Sequence, residues 1–271
     1  MKKRIRIAVL LVLTLAVLCS CKAEETTLKV KSIDYDGLTE LTAAEPDEEM
    51  IKNWSLISQN PYVDYICYLT VSGESLVVSN FHDSPNTFMT HRTTNGYFLG
   101  VDVGEFDGWV KYFPYYSAVA PEIVGSSRDV VNENCRGFVE DWSRNVYLFT
   151  WDYAGLYSPG SGVIYELRLP SLDGEWEWKQ VAEAAGKPLF FEYDRENKII
   201  YVVSSMELVA FSLEDYSVTT LSDLSLWGAA TSMVRIDNKL YIGMAMGIYE
   251  YDLTTTETKW YPMDYPKYVH N

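Results

Sequence analysis

Histidine is nearly absent. His82, His91 and His270 are the only three, and none makes the H-x-x-x-H or H-E-x-x-H spacing that turns two imidazoles toward one zinc ion. A zinc site would have to be assembled from distant loops, and Ser/His/Asp catalysis has little to draw on. No G-x-S-x-G elbow occurs. The glycine-rich stretch Gly155-Leu156-Tyr157-Ser158-Pro159-Gly160-Ser161-Gly162 lacks the lysine and the following helix of a phosphate loop, and reads as a long hairpin connection. Positive charge is scarce as well. Lys and Arg total 22 against 38 Asp and Glu, and removing Lys2, Lys3, Arg4 and Arg6 of the leader leaves 18 against 38, a balance of −20. Such a surface repels phosphate backbones, which argues against nucleic acid. It also repels anionic lipid, so a membrane attachment has to be covalent. Cations, neutral glycans and basic proteins stay open as partners. No apolar run is long enough to span a bilayer: Ile7 to Leu18 gives twelve residues, the size of a signal-peptide core.

That run follows a basic start and ends in Leu18-Cys19-Ser20-Cys21. The pattern resembles the bacterial lipobox, with an aliphatic residue at −3, a small one at −1 and cysteine at +1. Cys19 at −2 departs from the commoner small or β-branched residue. The resemblance implies a signal peptide over residues 1–20, cleavage before Cys21, and diacylglycerol attached to the Cys21 thiol. Palmitate-type acyl chains then hold the protein on the membrane. Lys22 at +2 is not the aspartate that retains lipoproteins at the inner membrane of enteric bacteria, so the expected place is the outer membrane or the cell surface. Two cysteines remain beyond the anchor, Cys67 and Cys135. Export permits a disulfide between them, and two buried thiols are the other reading.

What the chain has in plenty is aromatic and β-branched residues, including 21 tyrosines. These suit a pleated, half-buried surface. Asn238–Met263 reads as three short strands separated by a Gly and a Thr-rich turn. The same signals recur at Lys198–Leu221, and more loosely at Asn145–Val181 and Gly96–Val124. Ser143-Arg144-Asn145, Arg195-Glu196-Asn197 and Asp237-Asn238 fit the tight turns before second strands. The fold class is therefore all-β: a β-propeller of about five four-stranded blades (range four to six), with a β-sandwich as the competing arrangement. A short helix over residues 46–57 precedes the blades, with Pro46 in its first turn and Met50, Ile51, Trp54 and Ile57 on one face. The domains are the signal peptide 1–20, an acidic tether 21–49 and the propeller 50–271. Within the tether, Leu28–Ile33 alternates and could close a ring. The blade pattern resembles the quinoprotein-like and WD-repeat-like propeller superfamily. That resemblance carries architecture alone, because there is no Trp-Asp signature, kelch Gly-Gly pair or Asp-box.

The chemistry is sparse. Asp34-Tyr35-Asp36-Gly37 and Asp102–Gly108 are acidic clusters with oxygen ligands suited to Ca²⁺, and neither has EF-hand spacing. No other cofactor is expected. Glu140, Asp141 and Glu192 fall on candidate innermost strands, which keeps an envelope glycosidase or lyase as the alternative function. The favoured function is a lipid-anchored, non-catalytic binding or scaffold protein of the cell envelope with a protein or glycan partner. In a propeller, loops before first strands share a rim with loops joining second to third strands. That places Asp107, Arg136, Trp151, Asp152 and Trp227 near one mouth. Either these form an aromatic and polar binding rim, or Arg136 pairs internally with Glu140 or Asp141 while the Trp rings pack between blades.

Overall fold

The computed structural model describes residues 26–32, 38–45, 68–79, 88–104, 108–115, 128–152, 160–168, 177–224, 230–244 and 247–263. The short helix expected at 46–57, the cluster 34–37 and residues Cys21, Cys67, Asp107 and Trp227 lie outside them.

Continuous apolar runs make the second and third strands of the sheets. In β10 (Val146–Asp152) the first six residues are buried, as are six of eight in β11 (Ser161–Arg168). The same holds for five residues of β14 (Ile199–Ser204) and five of β18 (Lys239–Met244). A strand buried on both faces has no use for polar alternation. Outer strands are polar instead, as in β12 (Glu177–Ala185) and β16 (Val218–Asp223).

Five four-stranded sheets result. Blade 2 is β5 (Phe88–Arg92), β6 (Gly96–Val101), β7 (Trp109–Pro114) and β8 (Arg128–Val131). Blade 3 is β9 (Asn134–Glu140), β10, β11 and β12; blade 4 is β13 (Pro188–Asp194), β14, β15 (Glu207–Ser212) and β16. Blade 5 is β17 (Ala230–Ile236), β18, β19 (Gly247–Asp252) and β20 (Thr258–Pro262). Its last three strands are the ones read from Asn238–Met263. The first strands touch in succession, β5 with β9, β9 with β13, β13 with β17, and β17 with β3 (Tyr68–Ser72) of blade 1. Separate apolar cores lie between blades 2 and 3, 3 and 4, 4 and 5, and 5 and 1. Two face-packed sheets would share one core, so this is a five-bladed propeller. The close approach of blades shows at Gly100 against Cys135 and at Gly137 against Phe191, where neither glycine has space for a Cβ.

Blade 1 differs from the other four. Its inner strands are β3 and β4 (Ser75–Ser79), and its outer strands come from the N-terminal side, β1 (Thr27–Ser32) and β2 (Leu38–Thr42). β1 runs parallel to β4, with Val30 opposite Leu76 and Ser32 opposite Val78. Within the stretch expected as an acidic tether, 21–49, Thr27–Ser32 and Leu38–Thr42 supply two of the four strands of blade 1. The reason is local: Val30 and Leu41 are apolar on one face of each strand and fill the core against Tyr241, Ile248 and Tyr261 of blade 5. The alternating LKVKS stretch lies in β1, the third strand of blade 1.

Strand direction defines two rims. First strands start, and second strands end, at the upper rim. The turns joining first to second and third to fourth strands form the lower rim. Three lower turns expected from sequence hold a residue at positive φ: Arg144 (67°), Lys198 (53°) and Asp237 (52°).

Candidate functional site at the upper rim

β9 begins with Asn134, Cys135 and Arg136, and its pairing with β10 slips between Phe149 and Thr150, which face Gly137 and Cys135. Arg136 is the extra residue of this bulge. β13 and β17 slip at the equivalent places, leaving Leu189 and Thr231 unmatched. A bulge re-aims the side chain it carries. Here it sends the guanidinium sideways into the seams between blades.

Arg136 Nε donates to the carbonyl of Pro188 in blade 4 at 2.8 Å. Its Nη1 donates to Asp102 Oδ2 of blade 2, and only 9% of the arginine side chain and 11% of the aspartate side chain are exposed. Lys187 Nζ reaches the same Asp102 oxygen at 3.3 Å and lies 4.5 Å from the centre of the Trp151 ring. The second Asp102 oxygen accepts the Gly104 N–H at 3.0 Å. Asn134, buried beside them, accepts the Val103 N–H at 2.9 Å and donates to the Gly104 carbonyl at 2.8 Å. One aspartate thus ties together blades 2, 3 and 4.

The charges follow this geometry. Burial alone would raise the Asp102 carboxyl, but the Gly104 N–H, Lys187 and Arg136 together hold it below the usual carboxylate range. Burial and the Arg136 charge push the Lys187 ammonium below the ordinary lysine value, against the pull of Asp102. Cys135 is a free, buried thiol, pushed up to about 12 chiefly by burial. A carboxylate already held by an arginine, a lysine and an amide is a poor calcium ligand, and the described residues contain no cluster of metal-ligating side chains. Glu105 and Asp107 of the Asp102–Gly108 stretch lie outside the described residues.

Strand placement brings Arg136, Trp151 and Asp152 to one rim. Their exposure separates them: Arg136 is spent internally, on Asp102 rather than Glu140 or Asp141, and Trp151 is 9% exposed under Lys187, whereas Asp152 is open to solvent. The sequence reading passed over Phe88, which is 63% exposed at the start of β5, and Val103, 42% exposed just after β6. An apolar residue at a strand end gives no signal of its exposure. Lys187 was also missed; only its meeting with Asp102 and Trp151, from two other blades, marks it.

The axial carboxylates sit lower. Glu140 Oε2 lies 3.0 Å from His91 Nε2, and its Oε1 accepts from Arg144 at 2.6 Å. Asp141 accepts the backbone and side-chain N–H groups of Asn145 at 2.9 and 3.0 Å, closing a turn. Glu192 is raised above the usual carboxylate range by burial, against the pull of Arg235. These two acids are engaged in turns and ion pairs, and Glu192 stands on a different blade.

No protein-family model matches the chain, and no curated protein does. Among solved structures, the chain is similar to an extracellular domain of BT4673 from B. thetaiotaomicron, at 13% identity and a TM-score of 0.44, covering 73% of this chain and 25% of that one. It is similar to Sqt1 of Chaetomium thermophilum bound to the N-terminus of ribosomal protein L10, at 15% identity and 0.42, covering 62% and 45%. It is also similar to an auxiliary nutrient binding protein of Bacteroides ovatus, at 12% identity and 0.42, covering 66% and 42%. The chain spans less than half the length of each.

Proposed function

We propose that this chain is a lipid-anchored propeller of the bacterial cell envelope, at the outer membrane or cell surface. It acts without catalysis, as a binding or scaffold protein for a protein or glycan partner. The observation that carries this reading is the upper rim of blades 2 to 4. There Phe88 and Val103 stand exposed beside a charged network that fixes three blades to one another. Recognition uses apolar anchors next to a few fixed polar groups, and a pre-ordered face loses little freedom on binding. In this arrangement Arg136 is a support rather than a ligand donor. Lys187, 28% exposed, and Asp152 are the polar contacts.

The test is capture of partners from the producing cell's own envelope, with a glycan array beside it. Phe88→Ser and Val103→Ser should weaken capture tenfold or more, since truncating an interface anchor costs about 2 kcal/mol. Both should melt like the wild type. Undiminished capture by both variants would remove this face from the reading.

A further inference from the structure

Blade 1 fixes where the chain leaves the propeller. β1 runs parallel to β4, and β4 rises from the lower-rim turn at Gly73 and Glu74, so Thr27 begins at the lower rim. Cys21 precedes Thr27 by six residues. At ~3.5 Å per extended residue the link reaches about 20 Å at most, less than the width of a small domain. A thiol anchored in lipid would therefore hold the lower rim toward the bilayer.

That rim is dressed for the position. Among the described residues, six large apolar side chains are exposed, and four of them lie there: Val71 at 42%, Tyr115 at 47%, Trp142 at 71% and Trp178 at 50%. Both tryptophans and the one tyrosine among those six are in this group. These are the side chains that settle at a membrane–water interface, where an apolar ring meets polar headgroups. Trp142 stands on the turn after β9, and the Arg195 guanidinium of blade 4 lies 4.9 Å from its ring centre. Arg195 makes no ion pair among the described residues, so its charge is open to a phosphate. Among the described turns of this rim, those of blades 3 to 5 hold Arg144, Lys198, Tyr216, Asp237 and Thr256 at positive φ.

We propose that the lower rim rests on the bilayer that holds the anchor, with Trp142, Trp178 and Tyr115 seated among the headgroups. The upper rim then faces away from the membrane, open to its partner. This rests on the anchoring reading above, and the experiment separates the two. The chain from residue 21 onward, as Cys21→Ser with an N-terminal hexahistidine tag, is held on phosphatidylcholine vesicles through nickel-chelating lipid. Tryptophan emission is compared with and without bromine on the upper acyl carbons. The unsubstituted rim should lose emission to the brominated lipid, and Trp142→Phe, Trp176→Phe and Trp178→Phe together should abolish that loss. Because the protein is strongly acidic, added salt should leave the loss in place. Emission insensitive to bromine, or a loss that survives the triple substitution, overturns the proposal. So does quenching of a Phe88→Trp reporter at the opposite rim. The tag replaces the lipid, so absence of lipid on Cys21 in cells would sink the anchor while leaving the quenching result standing on its own.

Discussion

Asp102 shows how much one side chain can hold. Its carboxylate meets a guanidinium, an ammonium and an amide from three segments, and the arginine among them is almost fully enclosed. Removing one member of a buried pair leaves the other's desolvation uncompensated, a loss of about 3 to 5 kcal/mol. Asp102→Asn should therefore lower the melting temperature sharply, whereas substituting exposed Asp152 should not. The pH dependence has a definite sign. The folded-state carboxyl lies below its ordinary value, so its stabilising contribution is present at neutral pH. It is lost as the pH falls below about 4, where the unfolded chain takes up protons first. Asp194, bound by Asn197 and paired with Arg235 at 2.8 Å, is also held below the usual range and adds to the same acid loss. Thermal melts from pH 7 down to pH 3 should show the wild type losing stability in that window, and Asp102→Asn losing less.

At the scale of elements, β1 and β2 are the informative pair. Val30 is 2% exposed and Leu41 7%, both against blade 5, and β1 fills the hydrogen-bonding edge of β4. Full burial of an aliphatic side chain of this size is worth about 2 kcal/mol, and the freed edge adds unpaired backbone groups. A chain beginning at residue 45 should thus melt well below the mature protein and expose apolar surface to a reporter dye. A simple tether would be removable without effect, and an unchanged melt would restore that description. The lower turns work differently, through acids closing on nearby backbone N–H groups. Asp252 accepts from Thr254 and Thr255 at 2.8 and 2.9 Å, and Asp215 accepts from Ser217 at 3.1 Å.

For the molecule as a whole, charge and anchor are linked. With 38 acidic residues against 22 basic ones, general electrostatic attraction to an anionic membrane is not available. In the proposed arrangement, attachment would fall to the thiol of Cys21, assisted by the rim aromatics. Cys21→Ser should leave the propeller's circular dichroism and melting unchanged while abolishing metabolic palmitate labelling. The protein should then appear released or unprocessed. Labelling that persists in this variant would end the lipobox reading.

The sequence by itself determined the repeating part of this protein. Continuous apolar runs such as Val146–Trp151 and turn residues such as Asp237-Asn238 are local signals, and each needs only its own neighbours to be read. Strand alternation at residues 28–33 was legible in the same way, but its parallel partner β4 was not, because pairing across some 45 residues leaves no local trace. The candidate site was legible only as a rim. Strand order puts Arg136, Trp151 and Asp152 at one mouth, yet nothing near Arg136 in the chain points to Asp102 or Pro188. Tertiary structure decided that Arg136 is enclosed, that Lys187 caps Trp151, and that Phe88 and Trp142 are exposed at opposite rims. Exposure and ion pairing depend on which blades meet, and that is a property of the assembled blades rather than of any stretch within them.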